Sequence, residues 1–492
     1  MMKNIKYYII LLGLTLVGCQ PEFNDPVEDG GNYASGTADF SNYVAVGNSL
    51  TAGYADGALY MQGQQNSYPS IIASKLEFAG GGEFKQPLVN DNLGGLLFNG
   101  TQITDNRLVL SISNGDTLPT NLEGTPSTDI ANKLSGSFNN MGVPGAKIFH
   151  LLAPGYGNAA GVLSGAANPY FVRFASSENT TVISDAIAQN PTFFTLWIGN
   201  NDILSYATSG GVGVDQNGNV DPSTYGSNDI TDPNVFASVY NQLLTALTAN
   251  GAKGVVANIP DVSTIPYFTT VPYNPVPLDQ ATADQLNQGY AQYNGGLQVA
   301  RNLGLITAEE AQKRTVSFSA GTSNAVVIED EYLTNLSALG LPNYRQATAA
   351  DLIVLPASSF IGTTVGGDAT KINGVSVPLE DKWVLVPQEQ QAVVTAQTSF
   401  NATIKALANQ YGLGMVDTQA LLQQVANGGV SYGGGTLTST YGSGGAFSLD
   451  GVHPTAKGYA VIANLFIDKI QETYGATLPH ADVAGYTDVF IK

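Results

Sequence analysis

The sequence predicts an α/β fold in which a parallel sheet carries helices on both faces. Three observations lead there. Short β-branched or aromatic runs alternate with helical stretches along the whole chain, which is the pattern of strand–helix–strand units. The final long stretch, Thr455–Tyr474, places Ala460, Val461, Ala463, Leu465, Phe466 and Ile470 as one apolar stripe suited to packing on a sheet. No internal repeat and no second complete domain can be found in the 492 residues, so a single elaborated domain is expected.

The expected strands are Tyr43–Val46, Phe193–Ile198, Gly254–Ala257 and Leu413–Val416, with a further one just before Gly145. The expected helices are Tyr68–Leu76, Asn234–Asn250, Gln388–Tyr411 and Thr455–Tyr474. Their uneven spacing requires insertions at about 77–136, 206–232 and 269–381. The first contains Asn114-Gly115 between apolar runs, which predicts a hairpin. The second is rich in Gly, Asn and Asp, and the third holds strand-like pieces such as "AVVIEDEYL" and "DLIVLPA". Insertions leaving one edge of a sheet commonly form a lid or a pocket wall.

Composition narrows the function classes. Charged residues make up only 12% of the chain and the net charge is −20. That balance disfavours nucleic acid, whose phosphates need cations, and electrostatic docking on anionic lipid. The abundant uncharged surface, with 56 Gly and 24 Tyr, suits an exported protein. The single cysteine, Cys19, excludes an intrachain disulfide.

The N-terminus has Lys3 and Lys6, an apolar run from Tyr7 to Val17, and then Leu16-Val17-Gly18-Cys19. The run is too short to span a bilayer and follows the plan of a secretory signal. With cysteine at that place it resembles a bacterial lipoprotein signal, residues 1–19, which implies lipidation of Cys19. Gln20, rather than Asp, follows; by the enteric sorting rule this favours the outer membrane, with a periplasmic or outward face left open. The Pro-, Gly- and acid-rich residues 20–37 read as a flexible tether, 38–475 as the folded body, and 476–492 as a C-terminal tail.

Nucleophilic chemistry is suggested by "VGNSLTAGY", where a strand ends abruptly at Gly47-Asn48-Ser49-Leu50. A serine needs a base, and the base needs a group to orient it. Only His150, His453 and His480 are available. His480 reads as a surface residue of the tail and His150 as structural. His453 stands in "SLDGVHPTAKGY", three residues after Asp450, and the intervening Gly451 allows the carboxylate to curl back onto the imidazole. Pro454 is expected to start the last helix. Oxyanion donors are sought at the Gly145 N–H in "NNMGVPGAKI" and at the amides of "WIGNNDIL", where a buried strand ends.

Taken in order, Gly-Asn-Ser-Leu, a Gly-bearing turn, Gly-x-Asn-Asp and Asp-x-x-His resemble the blocks of the GDSL, or SGNH, hydrolase family over about residues 43 to 470. "VVANIPDVSTIPYF" also looks like the strand and loop of larger bacterial members. The first block departs from the family by carrying Asn48 in place of Asp. The resemblance implies a flavodoxin-like three-layer α/β/α sandwich and a carboxylic ester hydrolase. It implies Ser49 as nucleophile, Asp450 and His453 as its partners, and Ser49, Gly145 and Asn201 as the oxyanion hole. Gly-x-Ser-x-Gly is absent around Ser49, where residue 51 is Thr, which disfavours an ordinary α/β-hydrolase.

No cofactor or metal is expected, since three dispersed histidines and no His-Glu-x-x-His do not make a zinc site. The expected partner is a small-molecule, glycan or lipid ester, with no nucleic acid. Short acyl or acetyl esters are preferred over a lipase or phospholipase activity, a preference that an insertion rich in exposed Leu, Phe and Ile lining the site would reverse. The competing reading is a surface binding lipoprotein without activity, in which Ser49 and His453 lie apart or the site is blocked. Oligomeric state is left open.

Overall fold

The computed structural model describes residues 32–113 and 116–491. The lipoprotein signal, Cys19, most of the expected tether and Asn114-Gly115 lie outside the described residues.

The centre of the fold is a parallel sheet of five strands: β1 (Tyr43–Gly47), β2 (Asn140–Gly142), β3 (Phe193–Trp197), β4 (Lys253–Ala257) and β5 (Gly414–Val416). Their spatial order is β2-β1-β3-β4-β5. This is the doubly wound order of flavodoxin-like folds, in which the chain reverses its direction of winding between β1 and β3. Register is continuous across that point, from Tyr43 opposite Phe193 to Gly47 opposite Trp197.

The strands are apolar on both faces, as sheets covered on both sides must be. Alternation then sorts their side chains into two cores. Val44, Val46, Phe194, Leu196 and Val256 face one layer. It is built from α3 (Val182–Ile187), α4 (Asn201–Thr208), α5 (Pro233–Thr248) and α7 (Pro387–Tyr411). Tyr43, Ala45, Phe193, Trp197 and Val255 face the other layer, which includes α2 (Tyr68–Leu76) and α9 (Ala456–Tyr474). The three-layer α/β/α sandwich follows directly.

Several boundaries differ from expectation. Pro454 does not open the last helix: Thr455 is its N-cap, with Oγ1 accepting from the Gly458 N–H at 3.0 Å, so the helix starts at Ala456. The expected tether ends early, because Ala34 and Thr477 exchange backbone hydrogen bonds of 3.1 and 2.8 Å. Beyond α9 the chain stays on the body, with Ala476, Leu478, Ala481 and Val483 buried.

The insertion at about 77–136 contains the expected hairpin, with Leu108–Ser113 antiparallel to Asp116–Asn121. The third insertion differs most. Besides short strands it contains a 23-residue helix, α6 (Gln280–Asn302), not anticipated from sequence. Its buried residues, Ala283, Leu286, Tyr290, Tyr293, Leu297 and Ala300, recur at helical spacing. Gly289, Gly295 and Gly296, together with many amides, dilute the pattern in the sequence. These residues join the same core as Val44 and Leu196, so the insertion belongs to the body. The helix α8 (Thr418–Asn427) was also not anticipated.

Candidate active site

Open α/β sheets bind ligands at the carboxyl ends of their strands, where the winding reverses. Three segments leaving the sheet and one preceding α9 meet around that place. β1 runs into the one-turn helix α1 (Ser49–Ala52), capped by Asn48, whose Oδ1 accepts from the Leu50 N–H at 3.0 Å. β3 runs through Gly199 and Asn200 into α4, which opens on Asn201. The loop after β2 carries Gly145, and its Val143 N–H donates to Gly47 O at the end of β1 (3.0 Å). The segment before α9 brings Asp450 and His453.

The last segment closes on the first. His453 Nε2 lies 2.9 Å from Ser49 Oγ, and His453 Nδ1 lies 2.9 Å from Asp450 Oδ2. The Asp450 carboxylate also accepts from the backbone N–H groups of His453 (2.8 Å) and Val452 (2.9 Å) on Oδ1, and from Gly57 (2.9 Å) on Oδ2. Burial by itself would raise its pKa. The neighbouring imidazole and these N–H donors outweigh burial and hold the carboxyl down at about 2. Asp450 is therefore an anion at any ordinary pH, placed to fix the imidazole tautomer that leaves Nε2 toward the serine. Tyr54 stands beside the imidazole, ring centroids 4.7 Å apart.

Asn201 shares a cavity with Ser49 and His453. One hydrogen of its amide goes to Ala146 O at 2.9 Å, which leaves the second for another acceptor. Gly145 precedes Ala146 and sits at φ +78°, a conformation that suits glycine. Asn168 Nδ2 anchors the same loop through Pro144 O (2.7 Å). The N–H groups of Ser49 and Gly145 meet no acceptor among the described residues. The structure thus puts Ser49, His453 and Asp450 in direct contact, has Asn201 line the same cavity, and ties Gly145 to Asn201 through Ala146.

His150 is half-buried and stacked on Tyr156, ring centroids 4.6 Å apart, and its Nδ1 accepts from the Lys147 N–H. Burial, with Lys147 adding to it, lowers its pKa to about 4, which suits a structural, neutral imidazole. His480 is exposed and paired with Asp468 at 2.8 Å.

The cavity at Ser49 holds about 110 Å³ and its wall is almost wholly hydrocarbon. Leu421, Leu422 and Val425 come from α8, Leu204 from α4, and Val262 and Ile265 from the loop after β4. The sequence reading missed the α8 residues because that helix was not anticipated. Their i, i+1, i+4 spacing was the available signal. Also missed were Asp56, Gly57 and Ser448, which surround Asp450; the Asp-Gly pair in "YADGALY" marks a turn but not its target. Among the described residues, no three of His, Cys, Asp and Glu come together as a metal ion would need.

No protein-family model matches the chain. No curated protein matches it either. Among solved structures it is similar to an acetyl-xylooligosaccharide esterase from Geobacillus Stearmophilus, with 10% identity over 88% of this chain and 95% of that one, at a TM-score of 0.31. It is also similar to an alpha/beta hydrolase enzyme from the metagenome of Lake Arreo, Spain, with 11% identity over 88% and 96% of the two chains, at a TM-score of 0.30. At those TM-scores the likeness is too slight to carry a function to this chain.

Proposed function

We propose that the protein is a serine ester hydrolase acting on esters with an apolar acyl chain. The observation that carries this is the unbroken hydroxyl–imidazole–carboxylate line, with two contacts of 2.9 Å. Ser49 Oγ attacks the ester carbonyl while His453 Nε2 takes its proton, and Asp450 stabilises the imidazolium so formed. The oxyanion is received by the N–H groups of Ser49 and Gly145 and by the free amide hydrogen of Asn201. His453 then protonates the leaving alcohol, and water releases the acyl group by the same route in reverse.

The apolar cavity beside Ser49 turns the substrate preference away from acetyl groups. A wall of Leu, Val and Ile gains nothing from a glycan hydroxyl, whereas each methylene buried there contributes about 0.8 kcal/mol. The reading as an inactive binding lipoprotein predicts Ser49 and His453 apart or the site blocked, and their 2.9 Å contact speaks against the first of these.

The test is labelling by a fluorophosphonate, with turnover of p-nitrophenyl esters from acetate to long-chain acyl groups, in the wild type and in Ser49→Ala. Labelling and turnover that depend on Ser49, with kcat/KM rising beyond acetate, support the proposal. Folded wild-type protein that is neither labelled nor active refutes it. A maximum at acetate refutes the acyl-chain assignment alone.

A further inference from the structure

Resting on the esterase reading, we propose that Asp56 is a positioning residue for the Asp450 carboxylate, holding the turn 448–450 in place so that Asp450 faces His453. Asp56 is buried and adopts φ +54°, in the left-handed region. Asn99 and Asn190 are the other non-glycine residues there among the described residues, and asparagine enters that region readily. The left-handed turn at Asp56 is what aims the next peptide, the Gly57 N–H, at Asp450 Oδ2 (2.9 Å).

Both the backbone and the side chain of Asp56 grip the other strand of this junction. Its N–H donates to Ser448 Oγ at 2.9 Å, and the Ser448 hydroxyl in turn donates to Asp450 Oδ1 at 3.1 Å. Its Oδ1 accepts from the Leu449 N–H at 3.0 Å, and its Oδ2 accepts from the Tyr60 hydroxyl at 2.9 Å. Arg107 Nη1 approaches Oδ2 at 4.0 Å. Asp450 receives five donors in all, and two of them, Gly57 N–H and Ser448 Oγ–H, are set by Asp56. The residue before Asp450 is pinned by the Asp56 side chain itself. Nearly four hundred residues of chain separate the two aspartates, so through-space contacts place Asp450 relative to the Ser49 segment, and this junction supplies those made directly to the Asp450 carboxylate from that side. Burying an acid beside another acid is unfavourable, and burial pushes the Asp56 carboxyl up to about 6. A group held there at such cost is holding something in place.

The experiment measures kcat, KM and thermal melting for Asp56→Ala, Asp56→Asn and Ser448→Ala in the purified protein with a p-nitrophenyl ester. Loss of positioning misplaces the base without touching the acyl cavity, so Asp56→Ala is expected to lower kcat about tenfold to a hundredfold with KM within about twofold. Asp56→Asn keeps an acceptor for Leu449 and tolerates the left-handed turn, and is expected to stay within about threefold of wild-type kcat. A folded Asp56→Ala with wild-type kcat overturns the inference, and so does equal loss in Asn and Ala, which would assign the effect to charge. If Asp56→Ala does not fold, Ser448→Ala decides. A fall in kcat of about threefold to tenfold at constant KM supports the inference, and wild-type kcat overturns it. A wild type without Ser49-dependent turnover is the failure of the esterase reading, separate from variants that match an active wild type.

Discussion

Asn48 stands where the resembled family has aspartate, and its surroundings give a physical reason for the amide. It is fully buried, its Oδ1 caps the Leu50 N–H, and its Nδ2 donates to Asn200 Oδ1 at 3.1 Å. A carboxylate would supply the cap but not the second bond. Through that bond Asn48 joins the ends of β1 and β3, the two strands that flank the cavity. Asn201, one residue on, carries the sharper prediction. Replacing it by Ala removes one proposed oxyanion donor and should lower kcat by about 10²- to 10³-fold with a small change in KM, read from steady-state kinetics of an ester. A large rise in KM with kcat unchanged would mean that Asn201 holds ground-state substrate instead. Ser49, Asn201, Asp450 and His453 were legible from short motifs, because Ser49 and Asn201 lie where a helix begins after a strand and Asp450 and His453 share one tight turn, and local sequence marks such places. Asp56 was not legible, because its partner is Asp450, and no local pattern links positions so far apart.

At the scale of elements, α5, α7 and α9 were readable from apolar periodicity, with boundaries displaced by one or two residues through capping. The helices α6 and α8 escaped because glycines, glutamines and threonines interrupt their stripes. The omission mattered, since α8 supplies much of the apolar wall that shifts the substrate preference. The third insertion also bears on the site. Just ahead of it the Tyr267 N–H donates to Gly451 O at 2.9 Å, and a Cβ added at Gly451 (φ +72°) would meet Leu355 Cδ2, inside the insertion, at 2.9 Å. The turn between Asp450 and His453 is thus packed against that insertion.

The start of α7 carries a titratable load. Glu389 is fully buried, its Oε2 accepts from the Val386 N–H at 2.7 Å, and its Oε1 has no partner among the described residues. Burial raises its pKa to about 8, and the charges of Asp381, Glu331 and Asp330 add to this, while the Val386 N–H opposes it. The folded state therefore prefers the protonated acid. Its stabilising contribution is complete below about 4.5 and is lost as pH rises through about 8, by at most about 1.4 kcal/mol per pH unit. Thermal melting should fall between about pH 5 and pH 8, and Glu389→Gln should flatten that fall. An unchanged slope in the variant would rule out Glu389 as its source.

For the whole molecule, one body gathers the strands, the insertions and the residues after α9, and its N-terminal end at Ala34 is pinned beside Thr477. The proposal that this body hangs from a lipid at Cys19 concerns residues outside those described. Expressed with its own signal, the wild type should fractionate with membranes and Cys19→Ala should be released into the soluble fraction. Retention of the variant in the membrane fraction after signal cleavage would refute lipid anchoring. The sequence by itself determined the α/β class, the strand-end serine, and the Asp-x-x-His turn. Each of these is written in periodicity or spacing over a few residues, where chain connectivity restricts geometry. The tertiary structure alone decided that Ser49 meets His453 and that α8 closes a hydrocarbon wall beside them. It alone decided, too, that Asp56 braces Asp450. Those contacts join segments tens to hundreds of residues apart, and what brings them together is the packing of helices on a sheet, which no local pattern records.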